Sequence, residues 1–312
     1  MPGLTLTLPA FAKINFRLRI LGRRPDGYHE IQTVLQTISL HDTLKITAME
    51  GAHLVLSCDD ISVPAGAENI VMRAARALQK QCAPDRGAHI RLEKRIPSAA
   101  GLGGGSSDAA ATLLALATLW NARITVVELL EIAGTLGADV PFFFHGGTAL
   151  ATGTGKDLAA LPGLSREKFL LVVKPNASIA TANAYSALKA RSLTTAEAKT
   201  ILSSSHKSEF FDNFDSEALQ NDFEEVVLSL EPEIGRAKAA LLKAGARAAL
   251  LAGSGSAVFG VFDSGDALER AIQAIELEAG WRVFPCKTVG RSLIKSAMGS
   301  AGDVFAPAKR KV

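Results

Sequence analysis

The spacing of apolar and polar residues changes several times along this chain, and each change marks a new element. From Ile14 to Ile20 the row Ile14, Phe16, Leu18, Ile20 alternates with Lys13, Asn15, Arg17 and Arg19, the two-residue period of a strand with one buried face. Lys13 and Asn15 therefore share the opposite face. The preceding MPGLTLTLPAFAK alternates Leu and Thr, which reads as the start of a first strand and not as a secretory signal. A turn follows at GRRPDGYH, where Pro25 sets the bend and Gly27 relaxes it, and further strands are predicted over 31–40 and 43–49. Over 68–82 the period lengthens, placing Ile70, Ala74, Ala77 and Leu78 on one helical face, and HIRLEKRI at 89–96 alternates again. That strand feeds residues 97–110, PSAAGLGGGSSDAA. The apolar run after it predicts a helix to about Trp120 with Ser106 or Ser107 as its cap, and a second helix is predicted over 125–136. In LGADVPFFFHGG the three Phe residues read as a short buried strand after a turn at Asp139–Pro141.

The second half begins with a predicted strand, KFLLVVKP at 168–175, and a helix around 181–190. The Ser/Thr/Lys-rich segment 189–209 is expected to be a mobile surface stretch. Helices near 216–229 and 232–244 precede AALLAGSGSAVFGVF, a helix presenting Leu268, Ile272 and Ile275, and a strand in WRVFPCKTV. This order predicts an α+β fold, helices on largely antiparallel sheets. The tail at 299–312, GSAGDVFAPAKRKV, is basic and rich in Ala and Gly, and is expected to be disordered.

Composition narrows the functional classes. The chain has 312 residues, beyond the roughly 250 that one core supports, and 48% hydrophobic residues can fill two. Thirty-four Lys and Arg against 31 Asp and Glu leave a net charge of +3, too balanced for a nucleic-acid surface. Cys58, Cys82 and Cys286 stand far apart without a CxxC pair, which fits reduced thiols better than disulfides or a zinc site. Apolar runs such as AAATLLALATLW fall short of a membrane span.

The glycine-rich stretch carries the chemistry. A loop set before a helix N-terminus points backbone N–H groups inward and adds the helix dipole, which makes an anion site, most often for phosphate. Gly101, Gly103, Gly104 and Gly105 admit close approach, and Ser106 or Ser107 offers a hydroxyl to a phosphate oxygen or a magnesium ion. The segment is not GxxxxGK[ST], since Gly155 and Lys156 in GTGKD lack the rest of that pattern. It is not GxGxxG either, because Ser106 takes the third position, and the HRD and DFG signatures are absent.

PAFAKINFRLRILGRRPDGYHEIQT, KRIPSAAGLGGGSSDAA, TLGADVPFFFHGG and AGSGSAVFGVF, in this order and spacing, resemble the GHMP kinase superfamily, and the AKIN, GYH and GADVPFF segments resemble its branch whose alcohol substrate carries a cytidine diphosphate. The resemblance implies an ATP-binding N-terminal domain of ribosomal-protein-S5-like fold over 1–163 and a ferredoxin-like substrate-side domain over 164–298. It implies phosphoryl transfer from ATP to a hydroxyl, with Mg2+ on the triphosphate and no covalent phosphoenzyme. Asp139 would be the general base and Lys13 its neighbour, stabilising developing charge. The blander possibilities are that Asp139 is a turn or cap residue and that Lys13 faces solvent, as such residues commonly do. The loop residues Pro97, Ala99, Ala100, Gly101, Leu102, Gly103, Gly104, Gly105, Ser106 and Ser107 would bind ATP together with Asn69 and Lys94, although Asn69 is equally placed to cap a helix. Tyr28 and Tyr185 would sandwich the cytosine and His29 would read its edge, while Asn15 would orient the polyol or the catalytic pair. Thr181, Gly253, Ser254 and Gly255 complete the substrate side. His145 is as readily a structural histidine. Ala99 stands where the family often has Gly, and Ala252 where it often has Ser or Thr. The expected partner is a small molecule, with neither nucleic acid nor membrane, for a cytoplasmic chain that is a monomer or weak homodimer.

Overall fold

The computed structural model describes residues 3–188, 190–194, 197 and 219–305. Strands β1 (Thr5–Arg23) and β2 (His29–Met49) pair antiparallel along their length. The two strands expected over 31–40 and 43–49 are therefore one. The polar His41 and Asp42 that suggest a break lie where β2 changes its second partner, from β5 (Thr148–Gly153) along Ile31–Gln36 to β4 (Gly87–Glu93) along Thr43–Met49. Strand β3 (Leu54–Cys58) extends the sheet beyond β4, β6 (Asp157–Ala160) extends it beyond β5, and β8 (Gln220–Asn221) pairs with the far side of β1. Helices α1 (Ile70–Cys82), α2 (Gly104–Leu119) and α3 (Val126–Leu136) share one apolar core with this sheet.

The second sheet has the order β11-β7-β10-β9, formed by β7 (Phe169–Lys174), β9 (Ala248–Leu251), β10 (Val258–Phe262) and β11 (Arg282–Lys287), all antiparallel. Helices α6 (Glu224–Leu230), α7 (Pro232–Lys243) and α8 (Gly265–Ala274) separate its strands in the strand–helix–strand–strand–helix–strand succession of a ferredoxin-like unit. A third core joins the two sheets: Ala12, Ile14 and Phe16 of β1 meet Leu170, Val172, Leu250 and Phe259 of the second sheet. Both faces of β1 are thus covered, and Lys13 and Asn15, on its polar face, are buried all the same.

Several local expectations are corrected. The triple Phe is one helical turn, α4 (Phe142–His145), because three adjacent aromatics carry no period and the turn at Asp139–Pro141 leads straight into helical geometry. The helix expected from 216 begins at Glu224, after β8. Ile272 is exposed, and α8 buries Leu268 and Ala271 instead. The tail is ordered through Phe305: after α9 (Arg291–Ala297), residues 299–305 form a 3-10 helix, and Ile294, Met298 and Ala301 enter the core beside α2. Residues 306–312 and most of 189–209 lie outside the described residues. The three cysteines are free, and burial pushes the Cys286 thiol up to about 12. Among the described residues no helix is long and apolar enough to cross a membrane.

Candidate active site

Two register shifts in β1, between Phe11 and Lys13 and between Asn15 and Arg17, bracket the residues on which the site is built. Bulges of this kind re-aim side chains. Lys13 Nζ donates to Asn15 Oδ1 at 2.9 Å, Asn15 Nδ2 donates to Thr33 Oγ1 at 2.8 Å, and Thr33 donates to the Arg17 carbonyl at 2.7 Å. This chain fixes the ammonium with little freedom. Thr33, buried on β2, is a member that the sequence pattern does not single out.

Asp139 approaches Lys13 from the loop after α3, with Oδ2 at 3.5 Å from Nζ. Its side chain is 41% exposed while that of Lys13 is 5% exposed, so the carboxylate opens to the cleft and the ammonium stands behind it. The carboxylate caps no helix. Tyr185, on α5 (Thr181–Ala187), is pushed up to about 12 by burial and by the charge of Asp139, which places the two in one field.

Two cavities meet here. The larger, about 1320 Å3, is lined by Lys13, Asn15, Asp139, Tyr28, His29 and Tyr185, with Thr181, Gly253 and Ser254 on the second-sheet side. The smaller, about 420 Å3, is lined by Asn69, Lys94 and the loop from Pro97 to Ser106. Gly101, Gly103 and Ser106 border both. Helix α2 starts at Gly104 with the left-handed Gly103 as its cap, so Ser106 and Ser107 lie in its first turn and neither is the cap. No side chain satisfies the first N–H groups, which leaves Gly104, Gly105 and Ser106 as free donors at this end. Ser106 faces the shared border, whereas Ser107 is buried on the other side, next to Phe11, Phe143 and Met298.

The glycines are required first by the protein's own packing. A Cβ on Gly101 would stand 1.9 Å from the Ala252 carbonyl oxygen, and one on Gly103 would stand 3.0 Å from both Lys13 Cγ and Phe143 Cζ. The loop is further tied by Lys13 N–H donating to the Leu102 carbonyl and Ala257 N–H to that of Ala100. The AGSGS segment therefore abuts the loop itself. Gly255 turns into the second core, toward Ile179 and Val227, and does not line the cleft. Thr181 and Ser254 share a hydrogen bond of 2.9 Å across the cleft wall.

The remaining expected residues divide. Asn69 caps α1, accepting from Val71 N–H at 2.8 Å and donating to the Pro64 carbonyl, so its polar atoms are engaged locally at the edge of the smaller cavity. Lys94 is paired with Asp42 and Asp108; burial opposes its charge, but the two carboxylates outweigh this and raise its pKa. The ring of His29 stacks on Tyr185 at 4.7 Å, and burial, then Arg23, lowers its pKa toward the neutral imidazole. Tyr28 lines the same cavity as Tyr185. It is 67% exposed, on a turn held by Arg24, which pairs with Asp26 and buried Glu30, and by Asp26, which accepts from Tyr28 N–H. His145 is partly buried, with burial and Arg291 lowering its pKa. Among the described residues no group of three His, Cys, Asp or Glu could hold a metal.

A glycine-loop helix start beside a buried Lys and an open carboxylate, between these two sheets, defines a small-molecule kinase. The match to known families agrees: residues 69–147 fit the GHMP kinases N terminal domain and residues 205–280 the GHMP kinases C terminal domain. The chain belongs to the GHMP kinase family and is an ATP-dependent phosphotransferase. Within that family it is 41% identical to a 4-diphosphocytidyl-2-C-methyl-D-erythritol kinase of Syntrophotalea carbinolica, over 89% of this chain and 97% of that protein. It is 43% identical to the kinase of the same name from Synechococcus sp., over 86% and 87%. A crystal structure of 4-(cytidine 5'-diphospho)-2C-methyl-D-erythritol kinase superposes with a TM-score of 0.71 at 35% identity, covering 91% of this chain and all of that one. Homoserine kinase from Cytophaga hutchinsonii shares the fold, with a TM-score of 0.66 at 18% identity.

Proposed function

We propose that the protein phosphorylates the 2-hydroxyl of 4-diphosphocytidyl-2-C-methyl-D-erythritol with ATP, a step in making isoprenoid precursors. The observation that carries the reading is the shared border of the two cavities: Gly101, Gly103 and Ser106 separate a pocket fit for a nucleotide from one that holds Lys13 and Asp139. ATP lies in the smaller cavity with its phosphates on the free N–H groups of Gly104, Gly105 and Ser106, and the acceptor alcohol lies in the larger. Asp139 takes the proton of the attacking hydroxyl as its oxygen bonds the γ-phosphorus, the bond to the β-phosphate oxygen breaks, and ADP leaves. Lys13, held by Asn15, stabilises the charge that gathers on the transferred group.

The family resemblance implies Mg2+ on the triphosphate; among the described residues no group of three His, Cys, Asp or Glu makes a metal site of its own, and the Ser106 hydroxyl, on the border of the two cavities, would be a protein ligand within the site. Bound there, it would neutralise phosphate charge. The base of the acceptor is taken at the His29–Tyr185 pair, with Tyr28 folding over it from its exposed position.

The test is ADP release by the purified chain with Mg-ATP, offering 4-diphosphocytidyl-2-C-methyl-D-erythritol, free methylerythritol, mevalonate and homoserine. Turnover confined to the cytidyl compound is expected. Turnover on homoserine or mevalonate alone would move the chain to another branch of the family, and ATP binding without turnover on any of the four would make it a nucleotide-binding regulator.

A further inference from the structure

The chain enters the glycine loop at Lys94 and leaves it through the start of α2, where Asp108 sits one turn in from Gly104. Lys94 Nζ reaches across this neck to Asp108 Oδ2 at 2.8 Å and pairs on its other side with Asp42 Oδ2. The side chains are almost fully enclosed: 7% exposed for Lys94, 3% for Asp108 and none for Asp42. Asp42 also accepts, through Oδ1, from the backbone N–H groups of Arg95 and of Ile96, the latter at 2.8 Å. One carboxylate on β2 thus holds both the side chain and the main chain at the loop entrance. The second carboxylate holds the loop exit.

We propose that Asp42 and Asp108 clamp Lys94 across the neck of the glycine loop, and that Asp108 is thereby a positioning residue for the nucleotide phosphates. This rests on reading the smaller cavity as the ATP site. The ammonium lies under Gly104, where a Cβ would stand 3.4 Å from Nζ and 2.9 Å from Ile96 Cγ2. Gly104 starts the run of free N–H donors, so the floor beneath those donors is set by where Lys94 is held. Lys94 and Asp108 both line the smaller cavity, but two of the three donors of Lys94 are engaged by carboxylates and little of its side chain is open, so the clamp acts on a nucleotide mainly through the loop it holds. Asp108 Oδ1 has no partner, although it is buried. A buried unpaired oxygen is costly, and the bond from Lys94 to Oδ2 is the interaction that offsets part of that cost.

Three variants of the full chain test this: Asp108→Ala, Asp108→Asn, and the double change Lys94→Met with Asp108→Leu. The double variant replaces the buried Lys94–Asp108 pair by apolar groups, while Asp42, left without its cation, keeps the two backbone N–H donors at the loop entrance. KM for Mg-ATP, KM for the acceptor, kcat and binding of a non-hydrolysable ATP analogue are measured beside circular dichroism. Asp108→Ala is expected to raise KM for ATP about tenfold with the acceptor KM within about twofold, as suits the loss of one charge-assisted bond acting at the nucleotide alone. Asp108→Asn, whose amide oxygen still accepts from Lys94, is expected to recover most of that loss. The double variant is expected to fold and keep the raised KM for ATP; should the alanine variant not fold, this one decides. Wild-type ATP affinity in a folded Asp108→Ala or double variant overturns the clamp, as does an equal rise in both KM values or an Asn variant no better than Ala. If the unchanged protein does not bind the ATP analogue, the reading of the cavity fails and the clamp with it.

Discussion

Two lysines flank the glycine loop, each beside carboxylate, and they are built for opposite purposes. Lys13 and Asp139 stand 3.5 Å apart with the acid 41% exposed, a long contact that leaves the carboxylate free toward the cleft. Lys94 is in hydrogen-bond contact with Asp42 and Asp108, and all three are buried. A charge pair that must exchange a proton with a ligand needs one accessible partner and a loose contact, whereas a pair that fixes a backbone needs direct hydrogen bonds and enclosure. The sequence distance between pairing residues does not distinguish them. Exposure does.

The largest expected effect tests the open pair. Asp139→Asn is expected to lower kcat by about 10² to 10⁴, the usual span for losing a general base, while the fold is kept, since Lys13 retains its bond to Asn15. Steady-state kinetics and thermal unfolding on the same preparation separate the two. Near-normal turnover would remove Asp139 from the reaction as its base.

Next comes the contact between loops that keeps the two pairs at a fixed separation. Gly101 has φ +74 and no room for a Cβ beside the Ala252 carbonyl. Gly101→Ala is expected to destabilise by roughly 2 to 5 kcal/mol, combining the left-handed backbone penalty with overpacking. Denaturant unfolding measures it, and a change below about 0.5 kcal/mol would mean that the loop separates from the AGSGS segment at little cost.

The closed pair is expected to show itself in the pH dependence of stability. Burial, together with the Asp42 charge and against that of Lys94, raises Asp108 to about 7. The folded chain then keeps a proton that the unfolded chain releases at its ordinary, lower pKa, so this group's contribution to stability falls as pH rises from about 4 to about 7 and is level above. One proton corresponds to at most about 1.4 kcal/mol per pH unit. Asp108→Asn is expected to flatten that part of the curve, measured by denaturant unfolding at pH 5, 6, 7 and 8. Parallel curves for the two proteins would show that Asp108 is ionised throughout.

How far these pairs are legible in the sequence follows from what local pattern can encode. The alternation around Ile14 marks β1, and the AKIN and GADVPF motifs name both partners of the open pair. The closed pair is another matter. Asp42 reads as part of a break between two strands, and Asp108 is lost in an apolar run that predicts a buried helix. The missing signal is that an Asp within a helix buried on nearly every side needs a cation from elsewhere in the chain. Thr33 is hidden similarly, since a strand Thr suits any pleated surface until its hydrogen bond to Asn15 is seen. Residues 299–305 need the core around Ala301 to become ordered, which no Ala/Gly-rich stretch announces by itself. The glycines were legible as a loop, but Gly101 and Gly103 answer first to Ala252, Lys13 and Phe143.

The smallest effect lies at the loop entrance. Ala99 is held at φ +50, a conformation that costs an L-residue about 1 to 2 kcal/mol, and it is exposed, so its methyl group buries little in return. Glycine removes the strain but adds about 0.5 to 1 kcal/mol of unfolded-state freedom. Ala99→Gly is therefore expected to stabilise the protein by less than about 1 kcal/mol, read by denaturant unfolding. The accompanying KM for ATP sharpens the contrast between the two pairs. If the neck clamp alone sets the loop, KM stays within about twofold of the parent; if it rises while stability improves, stiffness at Ala99 shares the task of positioning with Lys94, Asp42 and Asp108.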